Sequence, residues 1–196
     1  WRNAIISDTN EPGSTYKPFT VATGLESGAL TGNESYFCTG SLMVGKRNIG
    51  CSHVHGNITL KDAVAKSCNE GSETFYNYQN LFGFGRSTGI DLPGEAETKN
   101  LVYNASNYSN SVTLATNAFG QNFNCTMMQM AAGFCSLING GNYYRPHIEK
   151  QIQNDGGDVV KDVGKEVLRK TVSEETSASI RSYMQETVEN GTGTKA

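Results

Sequence analysis

The segment T-M-M-Q-M-A-A-G-F-C-S-L-I-N-G-G, residues 126–141, limits the fold more than any other stretch of the 196-residue chain. Thr126 followed by Gln129 three positions later is a capping box, in which two side chains satisfy two N–H groups of a helix start. Met127, Met130, Ala131, Phe134, Leu137 and Ile138 then follow the i, i+3, i+4, i+7 period of a helix with one buried face. Asn139-Gly140-Gly141 stops it. Such a helix needs a core to lie against, and the composition supplies one: 37% hydrophobic and 18% charged residues read as globular, not disordered. The net charge of -3 carries no basic footprint, which argues against nucleic acid as a partner. No run of about 18 apolar residues occurs, so no segment reads as a membrane span.

Other elements follow from caps and breakers. Residues 14–28 read as a helix with Ser14 as N-cap, Pro18 in the first turn and Gly28 at the end. Residues 36–51 read as a β-hairpin turning near Gly45-Lys46. Thr59 and Asp62 frame a short helix over 59–66, and 72–82 reads as another, ended by Gly83 and Gly85. Residues 143–153 read as a strand followed by a turn at Asp155-Gly156-Gly157. A last helix starts at Ser173, with Ile180, Tyr183, Met184, Thr187 and Val188 on one face, and ends at Asn190-Gly191.

Several residues can carry chemistry. Ser14 and Lys17 form the chain's one S-x-x-K. On a helix, positions i and i+3 share a face, so Lys17 projects beside Ser14. A lysine held against a core can lose its proton more readily than one in water, which makes it a base for the serine hydroxyl. The same spacing also arises by chance in an ordinary helix start. Ser67-Cys68-Asn69 is the chain's one S-x-N and falls where a capped helix breaks. It can aim short polar groups into a cleft, or serve as a plain C-cap. Gln121 follows a glycine and is open between backbone support and substrate contact. The five cysteines, at 38, 51, 68, 125 and 135, contain no C-x-x-C. Cys38 and Cys51 flank the hairpin, whose pairing could bring the sulfurs together, and a disulfide there would need an oxidising compartment. Cys51, His53 and His55 crowd one loop, but their spacing is not that of a standard closed zinc site.

Taken together, S-x-x-K and S-x-N make two of the three motifs of serine β-lactamases and penicillin-binding proteins. The resemblance extends along nearly the whole chain. "E-P-G-S-T-Y-K-P" resembles the nucleophile segment of the transpeptidase domain of class B penicillin-binding proteins, most nearly the sporulation and division types of Gram-positive bacteria. "F-C-T-G-S-L-M-V-G", the His55-Gly56 turn and "T-L-K-D-A-V-A-K-S-C-N" are similar to that family's stretch leading to its second motif. "G-F-G-R-S-T-G-I-D-L-P-G-E", "A-F-G-Q" and "Q-M-A-A-G-F-C-S-L-I-N-G-G-N-Y-Y-R-P-H-I" resemble later landmarks. One departure stands out: the chain contains no Lys-Thr-Gly. Gly191-Thr192-Gly193 could be a degenerate version, but a similar G-T-G-T-K-A stretch precedes the third motif in the family.

The resemblance implies a mixed α/β fold of the penicillin-binding protein and β-lactamase type. Residues 1–196 would be part of one transpeptidase domain, cut before Lys-Thr-Gly, mostly its helical part with an incomplete central sheet. It implies a D,D-transpeptidase that cross-links peptidoglycan, with Ser14 as nucleophile, Lys17 as base, Ser67 as proton relay, Asn69 as a donor-peptide contact and Gln121 at the substrate. No metal or organic cofactor is implied. The partners would be stem peptides ending in D-Ala-D-Ala, β-lactam antibiotics, and glycosyltransferase and division or sporulation proteins. The location would be the extracytoplasmic face of the bacterial cytoplasmic membrane, with an N-terminal anchor outside this chain. A β-lactam sensor or serine β-lactamase is the nearer alternative, although no E-x-x-L-N segment is present for a deacylating glutamate. A non-catalytic binding module is the more distant one.

Overall fold

The computed structural model describes residues 2–65, 75–103 and 111–195. The predicted residues Ser67, Cys68 and Asn69 lie outside the described residues. The chain opens with α1 (Ala4–Ser7), β1 (Thr9–Asn10), a 3₁₀ turn (Gly13–Tyr16) and α2 (Lys17–Glu26). Four short strands follow, β2 (Ser35–Cys38), β3 (Ser41–Val44), β4 (Arg47–Gly50) and β5 (Gly56–Thr59), and then α3 (Leu60–Ala65). After α4 (Phe75–Leu81) come a 3₁₀ turn (Lys99–Leu101), α5 (Ser111–Ala118), β6 (Cys125–Thr126) and α6 (Met127–Ile138). The chain continues with β7 (Asn142–Tyr144), β8 (Gln151–Gln153), β9 (Val159–Asp162), β10 (Val167–Lys170) and α7 (Glu174–Asn190).

The strands pair only two by two, all antiparallel: β1 with β6, β2 with β5, β3 with β4, β7 with β10 and β8 with β9. The incomplete sheet takes the form, among the described residues, of five separate two-stranded ladders, and the helices carry the core. Tyr16 and Phe19 stack at 5.1 Å between centroids, and Phe84 and Phe123 meet Tyr16 edge-on at 5.0 and 4.9 Å. Phe82 meets Phe19 in the same way at 5.2 Å. Offset and edge contacts of this kind add to the area term because ring edges meet ring faces. Leu137 of α6, Ile180 of α7 and Val172 just before α7 close the cluster. Burial pushes the Tyr16 phenol well above its ordinary value, so it stays neutral among these rings.

The capping boxes form as the sequence predicts. Thr126 accepts the Gln129 N–H at 3.1 Å, and the Gln129 side chain accepts the Thr126 N–H at 2.9 Å. Thr59 and Asp62 do the same for α3, and Ser173 accepts the Thr176 N–H at 3.1 Å at the start of α7. Four expectations need correction. Ser14 is not the N-cap of an α-helix; it lies inside the 3₁₀ turn, and α2 begins at Lys17. Tyr36 and Cys38 do not pair within a single hairpin; β2 pairs with β5, and the predicted turn at Gly45-Lys46 joins β3 to β4. The predicted strand 143–153 is broken in two around Pro146, which has no N–H to offer a ladder. The buried face of α6 is Gln129, Gly133, Ser136 and Leu137, while Met127, Ala131 and Ile138 are exposed. Polar bonds and close approach turn that helix. Gln129 Nε2 donates to Arg86 O and Thr98 Oγ1, each at 2.6 Å, and Ser136 is bonded by Thr171 Oγ1 at 3.0 Å. A side chain at Gly133 would begin 2.9 Å from Phe82 O and 3.1 Å from the Phe19 ring.

Candidate active site

The turn E-P-G-S-T-Y-K sets Ser14 and Lys17 one 3₁₀ turn apart. The Lys17 N–H bonds the Ser14 carbonyl, closing an i→i+3 ring. In 3₁₀ geometry residues three apart eclipse one another, which aligns the two side chains more directly than an α-helix would. Ser14 is exposed, whereas Lys17 is only 6% exposed. Both line a cleft of about 290 Å³ together with Thr15, Pro18, Phe134, Met184, Thr187 and Thr192. A hydroxyl at the mouth and a lysine in the wall thus face one space whose other walls are largely apolar.

A second segment holds this turn in place, and the sequence singled out only Gln121 of it as a site residue. The Gly13 N–H donates to Gly120 O at 2.8 Å, and the Glu11 carboxylate accepts the Asn122 N–H at 2.8 Å. Thr20 Oγ1 donates to Ala118 O at 2.5 Å. The loop after α5 is therefore laced to both ends of the serine turn. Gly120 has φ +83° and lies so close that a Cβ there would stand 2.1 Å from Gly13 O, so no other residue fits without displacing the turn. Asn122 also takes a positive φ, 62°, a conformation Asn tolerates better than most residues. Gln121 lies between them, exposed, its backbone held by Thr116 O at 2.9 Å and Asn117 Nδ2 at 3.0 Å. Gln121 is not among the residues lining the cleft.

Thr192 of the Gly191-Thr192-Gly193 stretch does line the cleft. It does so as a turn: the Gly191 and Gly193 N–H groups both fold back on Thr187 O, at 3.2 and 3.0 Å, and residues 191–195 form no strand. The segment closes the C-terminal end of α7.

Comparison with known proteins identifies the family of this fold. The penicillin-binding protein transpeptidase domain family matches residues 1–196. The chain belongs to that family. It is 33% identical over 208 residues to stage V sporulation protein D of Bacillus subtilis strain 168, covering 100% of this chain and 32% of that protein. It is 28% identical to a probable peptidoglycan D,D-transpeptidase, PenA, of Neisseria meningitidis, covering 98% of this chain and 32% of that one. The crystal structure of penicillin-binding protein 3 from Mycobacterium tuberculosis in complex with aztreonam superposes with a TM-score of 0.85 at 26% identity, over 97% of this chain and 44% of that one. The chain thus spans about a third of the length of the curated relatives it matches. The mixed α/β fold is that of the transpeptidases, and the resemblance to the class B type holds.

The cysteines divide in two. Cys125 is buried in the aromatic core, and burial pushes its thiol up to about 12; Cys135 is exposed on α6. Cys38 and Cys51 do come together, through the pairing of β2 with β5 and of β3 with β4 and not through the single hairpin expected, and as two thiols and not as a disulfide. They meet the His55 ring, which the sequence places with Cys51 and His53 in one crowded loop.

Proposed function

We propose that this chain carries the acylated serine of a peptidoglycan D,D-transpeptidase. The observation that carries the reading is the exposed Ser14 placed one 3₁₀ turn from the buried Lys17 on a shared cleft. The Ser14 Oγ attacks the carbonyl of the penultimate D-Ala of a stem peptide. Its proton passes to Lys17 Nζ, whose burial is the condition that lets a lysine act as a base near neutrality. The Ser14 N–H lies in the first turn, where N–H groups lack intrahelical partners and can face a developing oxyanion. The C–N bond breaks, a proton relayed by Ser67 goes to the departing D-Ala amine, and the serine is left as an ester. Asn69 holds the donor peptide's amide. The amine of a neighbouring stem then displaces the serine and completes the cross-link. Gln121, set beside the turn by Gly120 and Asn122, contacts the bound peptide. No cofactor enters these steps.

β-Lactams present a strained amide to the same Ser14 and leave a long-lived ester, in keeping with the aztreonam complex of the mycobacterial relative. The reaction places the site on the extracytoplasmic face of a bacterial membrane, where peptidoglycan, division or sporulation proteins and glycosyltransferases meet. No described helix is long and apolar enough to cross that membrane. The test is peptide mass spectrometry after incubation with a penicillin. An adduct on Ser14, absent in Ser14→Ala, is expected. An adduct on another serine or a cysteine overturns the assignment, and rapid repeated hydrolysis of a chromogenic cephalosporin overturns the transpeptidase in favour of a β-lactamase.

A further inference from the structure

The two ladders built from strands β2 to β5 have a small buried cluster of their own, separate from the main core. That cluster is Cys38, Ile58 and Ala63, with Tyr36 and Cys51 packed against it. The β3–β4 hairpin is almost wholly exposed, and Phe37 and Met43 are 62% and 65% exposed. A two-stranded hairpin without a hydrophobic face is at best marginally stable in water. Small units of this kind are commonly held together by a cross-link, a metal or a partner.

The residues at the junction have the chemistry of one of these. Cys38 ends β2, Cys51 directly follows β4, and His55 directly precedes β5. The two Sγ atoms stand 3.7 Å apart, and His55 Nδ1 is 3.3 Å from Cys38 Sγ. The ligand atoms of all three lie within 4.8 Å of one another. A disulfide needs sulfurs about 2.05 Å apart. Two thiolates on a tetrahedral zinc, with Zn–S bonds of about 2.3 Å, stand about 3.8 Å apart, and a thiolate and an imidazole nitrogen about 3.6 Å apart. The Sγ–Sγ spacing fits the second arrangement and not the first, and the Cys38–His55 spacing lies within about 0.3 Å of it. Backbone N–H groups of His55 and Gly40 point at the Cys38 sulfur, the kind of support a metal thiolate takes from its surroundings. His55 Nε2 is buried and has no hydrogen-bond partner among the described residues, so the ring is not held in place by an ordinary polar contact on that side.

We propose that Cys38, Cys51 and His55 bind a zinc ion that staples the β3–β4 hairpin to the β2–β5 ladder. Two thiolates and one neutral imidazole are a soft, tetrahedral donor set that selects zinc over calcium or magnesium. Two thiolate charges neutralise the ion, and binding releases the two thiol protons. The fourth position is left to water or to His53, whose ring centroid lies 4.2 Å from that of His55. The staple has a consequence for the cleft. β5 runs without a break into α3, and α3 leads to residues 66–74, which carry Ser67 and Asn69. Holding β5 fixes the start of that path. Sequence spacing did not reveal the site because the ligands belong to three strand ends, and Cys38 joins the others only when β2 pairs with β5.

The test is metal content of the purified chain after incubation with zinc under reducing conditions and desalting. About one zinc per chain is expected. Cys38→Ser and Cys51→Ser should each lower it more than about tenfold, His55→Ala should weaken binding by about tenfold or more, and Cys135→Ser should retain full content. Because the variants could misfold, the unaltered chain is also loaded with cobalt(II), which should give a thiolate charge-transfer band. Hydrogen exchange of the same chain with and without a chelator should show residues 35–59 loosening while α6 stays protected. A chain that takes up no zinc, a Cys38–Cys51 disulfide in non-reduced peptides, or zinc retained in both cysteine variants overturns the proposal. Each of these readouts is independent of whether Ser14 is acylated.

Discussion

Lys17 is the residue on which the proposed chemistry turns, because a serine hydroxyl is a weak nucleophile until something takes its proton. The side chain is 6% exposed on the wall of the cleft that Ser14 opens into. Replacing it with arginine keeps the charge and most of the length, but a guanidinium does not give up its proton in a protein. Lys17→Arg is therefore expected to slow acylation by a fluorescent penicillin by about 10²–10⁴-fold, the range general base catalysis supplies, with little change in thermal stability. Near-unaltered labelling would place the base elsewhere. At this scale the sequence was informative: S-x-x-K showed which two residues meet. It did not show that they meet on a 3₁₀ turn, since Ser14 reads equally well as an N-cap and only the i→i+3 bond to Lys17 separates the two.

The serine turn owes its place to another element, the loop after α5. Gly120 combines a positive φ with a backbone contact so close that a methyl group would meet Gly13 O at 2.1 Å. Gly157, in the exposed β8–β9 turn, has nearly the same φ, +86°, but a methyl group there would meet nothing within 4 Å. The pair separates backbone strain from displacement of the turn. Gly157→Ala should cost about 1–2 kcal/mol, the left-handed penalty alone, and leave acylation unchanged. Gly120→Ala should cost about 2–4 kcal/mol, strain plus overpacking, and slow acylation of whatever fraction remains folded. Equal effects of the two on acylation would mean that the loop does not position Ser14. Sequence could mark A-F-G-Q as a landmark but not explain its glycine, because the contact spans residues 13 and 120. The same limit applied to α6. Its period was legible, but its rotation was set by Gln129 bonding Arg86 and Thr98 and by Gly133 meeting Phe82, partners that no local pattern contains.

Across the whole molecule, carboxylates do much of the joining that a large sheet would otherwise do. Glu26 at the end of α2 accepts the Ser173 N–H and Oγ–H, each at 2.9 Å, and so ties α2 to the start of α7. Glu95 accepts the N–H groups of Thr88 and Gly89 and the hydroxyls of Ser87 and Thr88, closing the loop before it. Asp91 accepts the N–H groups of Ile148 and Glu149, each at 2.8 Å. For Glu26 and Glu95 partial burial pushes the carboxyl up, but the hydrogen bonds outweigh it and both sit below their ordinary value. Asp91 is held low by the Glu149 and Ile148 N–H groups. The fold class was legible because helix periods and caps are local, whereas these links join residues up to 147 positions apart and leave no spacing to read. Their sign with pH follows from linkage. A carboxyl whose folded pKa is depressed contributes stability that is fully present above its unfolded value, about 4, and is lost as pH falls through the lower folded value. The melting temperature, measured with a chelator present so that metal release plays no part, should be flat between about pH 7 and 5.5 with respect to these groups and fall below about pH 4.5. Glu26→Gln keeps an acceptor but not the charge; it should lower stability at pH 7 by about 1–2 kcal/mol and make the acid slope shallower. A Glu26→Gln slope as steep as that of the unaltered chain would show that the α2–α7 link does not depend on the charge. A melting temperature that rises on acidification would contradict the whole scheme.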